Sequence, residues 1–385
     1  MTKRILHITR DLPPKTKGGI SIATESLVKF LSENGHLNAV ISCDNWRPRA
    51  RAGEYNPSFE EQTSHASVLR ISHQEHLEKA RLFTQDFAPD LIHVHQEMIW
   101  PFVEELKKDL NIPVIVHMHV YHLEQNRVRK VDERNLSIEA QERALEFCDS
   151  ILCPSEMMSD LILRDYPDFA DKVEVLIPGF DDLTYADKSL SLRESKREKR
   201  LLYAGRFDWI KGTGEFFNSL PLILHNHEKL KIDIVGGVPG NSKAEKRWRK
   251  LLERNLTEFQ KKQVQFHGWL DRDDFYTKLT EASIMLVPSR FETFGLSALE
   301  AMFFGLGIIA CDAGNLGYML KDRVTGLLID ANNETQISHA ITRLIEDDNL
   351  LERLGKAAAE EARRTYLWDE SKKKQYDSYY SSLIN

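Results

Sequence analysis

From one end of the chain to the other, short apolar runs alternate with longer stretches whose apolar positions recur at helical period. Parallel strands joined by crossover helices give this pattern, because a strand covered on both faces reads as a continuous apolar run rather than an alternating one. The runs place strands at residues 5–9, 39–42, 91–95, 114–118 and 150–153 in the first half, and at 201–204, 231–235, 264–267, 284–288 and 307–310 in the second. Residues 334–366 lack strand signals and are helical by period, and 368–383 add aromatic residues to a further expected helix. The strand-helix pattern therefore occurs twice.

At 385 residues the chain exceeds what one core usually supports. A Pro178-Gly179 turn and the charged stretch 191–200 (SLRESKREKR) set a boundary near residue 181. The expected fold class is α/β: two Rossmann-like domains, 1–180 and 181–366, with parallel sheets facing a central cleft. Residues 367–385 form a C-terminal helix free to cross back onto the first domain.

Composition narrows the class. With 42% hydrophobic and 29% charged residues the chain reads as soluble and globular, and a net charge of −7 argues against nucleic acid as its main partner. Cys43, Cys148, Cys153 and Cys311 lack C-x-x-C spacing and read as reduced, packed thiols. Arg47, Arg49 and Arg51 read as a solvated loop. No run approaches the length of a spanning helix and none resembles a secretory signal, so a cytoplasmic protein without a transmembrane segment is expected, with peripheral membrane contact left open.

Open parallel sheets bind ligands beyond the carboxyl ends of their strands. Arg206 directly follows the expected strand at 201–204, and Lys211-Gly212 comes five residues later at a helix start, in the run GRFDWIKG. Two cations beside a helix N-terminus suit a diphosphate; the competing reading is a polar surface loop. After the strand at 284–288 comes SRFETFGLSALEAM. Glu292 is expected before a helix and Glu300 in its first turn, with the amides of 294–297 turned to a ligand and both carboxylates taking hydroxyls. Ser297-x-x-Glu300 also reads as a capping box, which would explain Glu300 but not Glu292.

Two other constellations offer competing chemistry. His93, His95, His117, His119 and His122 fall at two strand ends and could bind zinc. Asp271-Arg272-Asp273 mimics a metal-holding D-x-D, but it opens an amphipathic helix, where Asp is favoured as N-cap and first-turn residue. No metal site is expected.

The E-x7-E motif after a strand, preceded by G-R-x4-K-G, resembles the retaining glycosyltransferases of family 4, which have the GT-B fold, and the likeness extends along nearly the whole chain. Gly18-Gly19 after the first strand resembles that family's glycine pair, IPVIVHMH at 112–119 its strand ending in the histidine that faces the donor sugar, IPGFD at 177–181 its interdomain hinge, and FHGWL at 266–270 the segment beside the base. The chain departs from the pattern at His117, Met118 and Val120. The resemblance implies that the N-terminal domain faces the acceptor and the C-terminal domain grips the donor. Arg206 and Lys211 would hold the diphosphate, Glu300 the ribose and Glu292 the donor sugar. His119 would lie near the reacting carbon. Gly18, Gly19, Gly268, Trp269, Leu270, Thr293, Phe294, Gly295 and Leu296 would complete the donor site.

The expected activity is that of a hexosyltransferase. It would pass a sugar from a nucleoside-diphosphate sugar, UDP preferred over GDP on family frequency, to an unidentified acceptor hydroxyl with retention. Neither metal, cofactor nor enzymic nucleophile is expected. The alternatives are a nucleotide-sugar epimerase of the same fold and a non-catalytic sugar-nucleotide-binding module.

Overall fold

The computed structural model describes residues 2–14, 18–47, 50–51, 54–97, 99–131, 135–180, 199–238, 242–330 and 332–384. Arg49, Asp181 and most of the charged stretch at 191–200 lie outside these residues. The chain divides into two compact units, Met1–Asp181 with Trp368–Asn385, and Asp182–Leu367.

The first unit holds an eight-stranded sheet: β1 (Arg4–Thr9), β2 (Leu37–Ser42), β3 (Phe59–Gln62), β4 (Ser67–Arg70), β5 (Leu91–Val94), β6 (Val114–His117), β7 (Ser150–Cys153) and β8 (Val173–Val175), in the order β3-β4-β2-β1-β5-β6-β7-β8. β3 pairs antiparallel with β4; the other pairs are parallel. Strand order reverses at β1, which pairs with β2 on one side and β5 on the other. The central strands are buried end to end, which is why they read as unbroken apolar runs. The helix Glu370–Leu383 packs Tyr376, Tyr379 and Tyr380 against Ile5, Leu91, Ile115 and Leu152 of the same sheet. Ahead of it Trp368 stacks on Phe30 at a centroid distance of 3.9 Å. A Cβ on Gly179 would lie 2.3 Å from the Trp368 ring, so only glycine allows that approach.

The second unit holds six parallel strands: β9 (Arg200–Arg206), β10 (Lys231–Gly237), β11 (Val264–Gly268), β12 (Ile284–Val287), β13 (Gly307–Cys311) and β14 (Leu327–Ile329), in the order β11-β10-β9-β12-β13-β14. Its order reverses between β9 and β12. The helical tract at 334–366 is two helices, Glu334–Glu346 and Asp348–Tyr366, parted at Asp347, whose side chain caps the second by accepting from the Leu350 N–H.

Four strands were not among those expected. β3 reads FEEQ and is largely exposed, and β4 is its four-residue partner. β8 and β14 have three residues each. A run so short or so polar carries no period of its own and becomes a strand only because a neighbour offers it a ladder.

Candidate active site

In an open α/β sheet the ligand crevice opens where strand order reverses, beyond the carboxyl ends. In the second unit that point lies between β9 and β12; Arg206 is the last residue of β9 rather than the first after it, because the strand runs two residues past the expected 201–204, and the loops leaving β9 and β12 carry Lys211 and Glu292. Lys211 Nζ lies 2.5 Å from Glu292 Oε1, which also accepts from Ser289 Oγ at 2.8 Å. The Arg206 side chain is half exposed, with Asp208 Oδ2 3.4 Å from its Nη2.

Tight backbone contacts hold these loops. Gly212, at φ +63°, caps the helix Thr213–Asn226, and a Cβ there would fall 2.0 Å from the Pro288 carbonyl oxygen at the end of β12. Arg290, buried, donates its backbone N–H to the Ile210 carbonyl at 2.7 Å. Its guanidinium lies over the Trp209 ring at 4.2 Å, donates to the Trp209 carbonyl and pairs with Glu215. One side chain thus ties the β9 loop to the β12 loop. On the far side Asn315 donates its N–H to the Glu292 carbonyl and its Nδ2 to the Phe294 carbonyl, at 2.8 and 2.7 Å. Gly314, at φ +57°, allows this contact, since a Cβ would sit 2.4 Å from the Glu292 oxygen. Sequence reasoning missed Ser289, Arg290, Gly314 and Asn315. The positive-φ glycine beside an asparagine at 314–315 was the one local signal of a constrained loop.

The helix after Glu292 is Leu296–Phe303, with Gly295 at φ +90° as its N-cap and no side chain capping it. This corrects two expectations. Glu300 lies beyond the first turn, not in it, and the Ser297-x-x-Glu300 capping box does not form, because the helix already begins at Leu296 and Ser297 is inside it. Glu300 is buried instead, with Oε1 3.4 Å from the Tyr276 hydroxyl, to which Arg272 Nε donates at 2.5 Å. Thr293, Phe294 and Leu296 are half-buried and Gly295 is buried. On β11 Gly268 takes φ +69°, followed by an exposed Trp269 and a half-buried Leu270. Asp271 is an N-cap, its carboxylate accepting from the Asp274 N–H at 2.9 Å.

In the first unit order reverses at β1 and β5. Gly18 and Gly19, both exposed, stand at the start of the helix Gly19–Glu33; among the described residues nothing lies within 4 Å of a Cβ built on Gly18, whose φ is extended. The histidines at these strand ends form a stack that includes His7 of β1, which the sequence reading left out. His7, His93, His95 and His117 are buried and His119 half-buried, with successive ring centroids 3.9–5.5 Å apart. His122 stands apart, paired with Glu97 at 3.0 Å. Burial lowers His7 to about 4 and His119 to about 3, and takes His93, His95 and His117 well below the ordinary histidine value. His7, His93 and His95, and likewise His95, His117 and His119, bring one ring nitrogen each within 4.8 Å, the grouping a metal ion would need. His95 belongs to both sets and engages both its nitrogens in hydrogen bonds, to His7 at 3.1 Å and His119 at 3.0 Å.

Two parallel-sheet units, each with its strand-end loops built around a reversal point, define a class. Residues 17–183 match the family described as Glycosyltransferase Family 4, and residues 187–361 the family described as Glycosyl transferases group 1. The protein is a glycosyltransferase of the GT-B fold. It is 25% identical over 400 residues to an uncharacterized glycosyltransferase of Methanocaldococcus jannaschii, covering 98% of this chain and 97% of that one. Sucrose-phosphate synthase from Thermosynechococcus elongatus has the same fold at 20% identity, with a TM-score of 0.81 and 99% of each chain covered. HepE of Anabaena, solved in complex with UDP-glucose, aligns at 17% identity with a TM-score of 0.73, over 99% of this chain and 100% of that one. No helix among the described residues is long and apolar enough to cross a membrane.

Proposed function

We propose that the protein transfers a sugar from a nucleoside-diphosphate sugar, a UDP-sugar in the first instance, to an acceptor hydroxyl with retention of configuration. The observation that carries this reading is the β9–β12 reversal point, where Arg206 at the end of β9 and Lys211 and Glu292 on two adjoining loops stand by the segment that leads into the helix Leu296–Phe303. The HepE complex with UDP-glucose supports the choice of donor. Retention rests on the family resemblance.

Bond breaking between the anomeric carbon and the β-phosphate oxygen puts negative charge on the leaving diphosphate. Arg206, Lys211 and the free amides of the helix start stabilise that charge as it grows, in a site already organised to receive it. Lys211 is released from Glu292 to the phosphate, and Glu292 is released to a sugar hydroxyl. Glu300, buried at the helix face, takes the ribose hydroxyls. The departing phosphate oxygen accepts the acceptor's proton as the new glycosidic bond forms, so no enzymic nucleophile takes part. The cations and amides neutralise the diphosphate without a metal ion.

A thermal-shift screen of UDP, GDP and their sugars tests the donor, since a ligand bound by the native state alone raises the melting temperature by mass action. UDP and a UDP-sugar are expected to stabilise most. The UDP-sugar is then incubated with candidate acceptors, with and without excess EDTA. UDP release that requires an acceptor and survives EDTA supports transfer. Conversion of the sugar to an epimer, binding without turnover, or a loss restored by a divalent ion would each overturn the corresponding part of the reading.

A further inference from the structure

The histidine stack has a direction. Asn38 of β2 is buried, and its Nδ2 donates to the Val28 and His65 carbonyls at 3.3 and 3.5 Å. Its Oδ1 therefore faces His7 Nε2, 3.2 Å away. A carbonyl oxygen only accepts, so His7 carries its proton on Nε2. A neutral imidazole has one ring proton, which leaves His7 Nδ1 bare and able only to accept. Its neighbour there, His95 Nε2 at 3.1 Å, must then be the donor. His95 Nδ1 is bare in turn and accepts from His119 Nε2 at 3.0 Å. The chain ends at His119 Nδ1, which is bare like His7 Nδ1 and His95 Nδ1 but accepts from no member of the relay. Burial keeps each member neutral, with His7 lowered to about 4, His119 to about 3 and His95 well below the ordinary histidine value. The His119 ring is held against that of His117, 3.9 Å between centroids, and cannot turn over without losing the bond to His95.

We propose that Asn38, His7 and His95 form a hydrogen-bonded relay that fixes the tautomer of His119, so that His119 meets its ligand as an acceptor at Nδ1 and takes a hydroxyl rather than a phosphate oxygen. A bare nitrogen and an anionic oxygen repel, whereas a sugar O–H donates to it. Asn38, His7 and His95 are positioning residues, acting through His119 without touching the substrate. The assignment of a sugar hydroxyl as the partner rests on the donor reading above; the tautomer does not.

The test is a long-range proton–nitrogen spectrum of ¹⁵N-histidine-labelled protein without ligand, above neutral pH, with His119 assigned by the signals lost in His119→Gln. The wild type is expected to show His119 protonated at Nε2 and bare at Nδ1. Asn38→Leu and His7→Phe, which each break the relay at a different link, should give a mixture of both tautomers at His119, while Asn38→Asp, which keeps the acceptor, should restore a single one. A wild-type His119 protonated at Nδ1 would overturn the relay, as would both link variants keeping the wild-type pattern, or zinc found bound by elemental analysis with the His95 nitrogens metal-shifted. The wild-type spectrum decides even if a variant does not fold.

Calorimetry with UDP and UDP-glucose then separates the two readings. In Asn38→Leu the UDP affinity should hold and that for UDP-glucose fall by about tenfold, the size of one hydrogen bond. Failure of the wild type to bind either probe would overturn the donor assignment and leave the tautomer result standing.

Discussion

Lys211 and Glu292 pair with each other, with side chains only 21% and 11% exposed, whereas Arg206 is 49% exposed beside a loose contact to Asp208. The two cations should therefore respond differently to removal. Arg206→Ala is expected to change stability by no more than about 0.5 kcal/mol, as an exposed side chain does, yet to cost on the order of 2–4 kcal/mol in the transfer barrier, like a lost oxyanion donor. Lys211→Ala should cost a similar barrier and also lower the melting temperature, because it strips the partner from a largely buried carboxylate. Steady-state kcat/KM beside melting curves reads both; an Arg206→Ala variant with wild-type kcat/KM removes that residue from the mechanism. The two glutamates separate as well. Glu300→Gln should weaken binding of bare UDP, because a carboxylate that accepts two hydroxyls is replaced by a group with one acceptor oxygen. Glu292→Gln should spare UDP binding and slow transfer. Calorimetry with UDP beside transfer rates checks the pair, and unchanged UDP affinity in Glu300→Gln would end its assignment to the ribose. Arg206, Lys211 and Glu292 were legible because each falls within seven residues of the end of an apolar run. Glu300 was legible as a residue but misplaced on its helix, because an S-x-x-E run looks like a cap until the αL turn at Gly295 starts the helix two residues early.

The loops owe their shape to contacts made by neighbouring elements. Gly212, beside Lys211, and Gly18, read as a donor-site glycine, have opposite surroundings: one is in the left-handed region against a carbonyl oxygen, the other is extended, with no described residue within 4 Å of its Cβ position. Gly212→Ala should destabilise by roughly 2–4 kcal/mol, combining the left-handed penalty with a forced shift of the β12 loop, and should abolish transfer. Gly18→Ala should leave the melting temperature unchanged within error and affect only activity. Equal destabilisation by both would refute this contrast. The strands of the central sheets were legible because full burial on both faces demands unbroken apolar runs. β3, β8 and β14 were not, since edge strands need no such run, nor was β4, an inner strand of only four residues; Arg290 and Asn315 were not, since a polar residue's bonds to a distant loop leave no local period.

On the scale of the whole molecule, five histidines buried or half-buried and held neutral link stability to pH. Their folded pKa values lie below the ordinary 6.5, at about 4 for His7 and about 3 for His119. Between 6.5 and those values the unfolded chain binds protons that the folded one refuses, so stability falls as pH falls through this window and is flat above it. Each histidine contributes up to about 1.4 kcal/mol per pH unit there. Melting temperatures should drop steeply from pH 6.5 toward 4, less steeply in His7→Phe; a flat profile over that range would contradict neutral burial. The sequence by itself determined what short-range chemistry can encode: alternating strands and helices, chain-wide resemblance to one enzyme class, and charged residues set just after buried strands. Only the tertiary structure decided which β-strand lies beside which, and so that His7 joins His93, His95, His117 and His119, and that Arg290 and Asn315 brace the loops around Glu292. Periodicity is a property of neighbours along the chain, whereas a stack of imidazoles drawn from β1, β5 and β6 depends on strand order and register, which are set by the packing of the sheet as a whole.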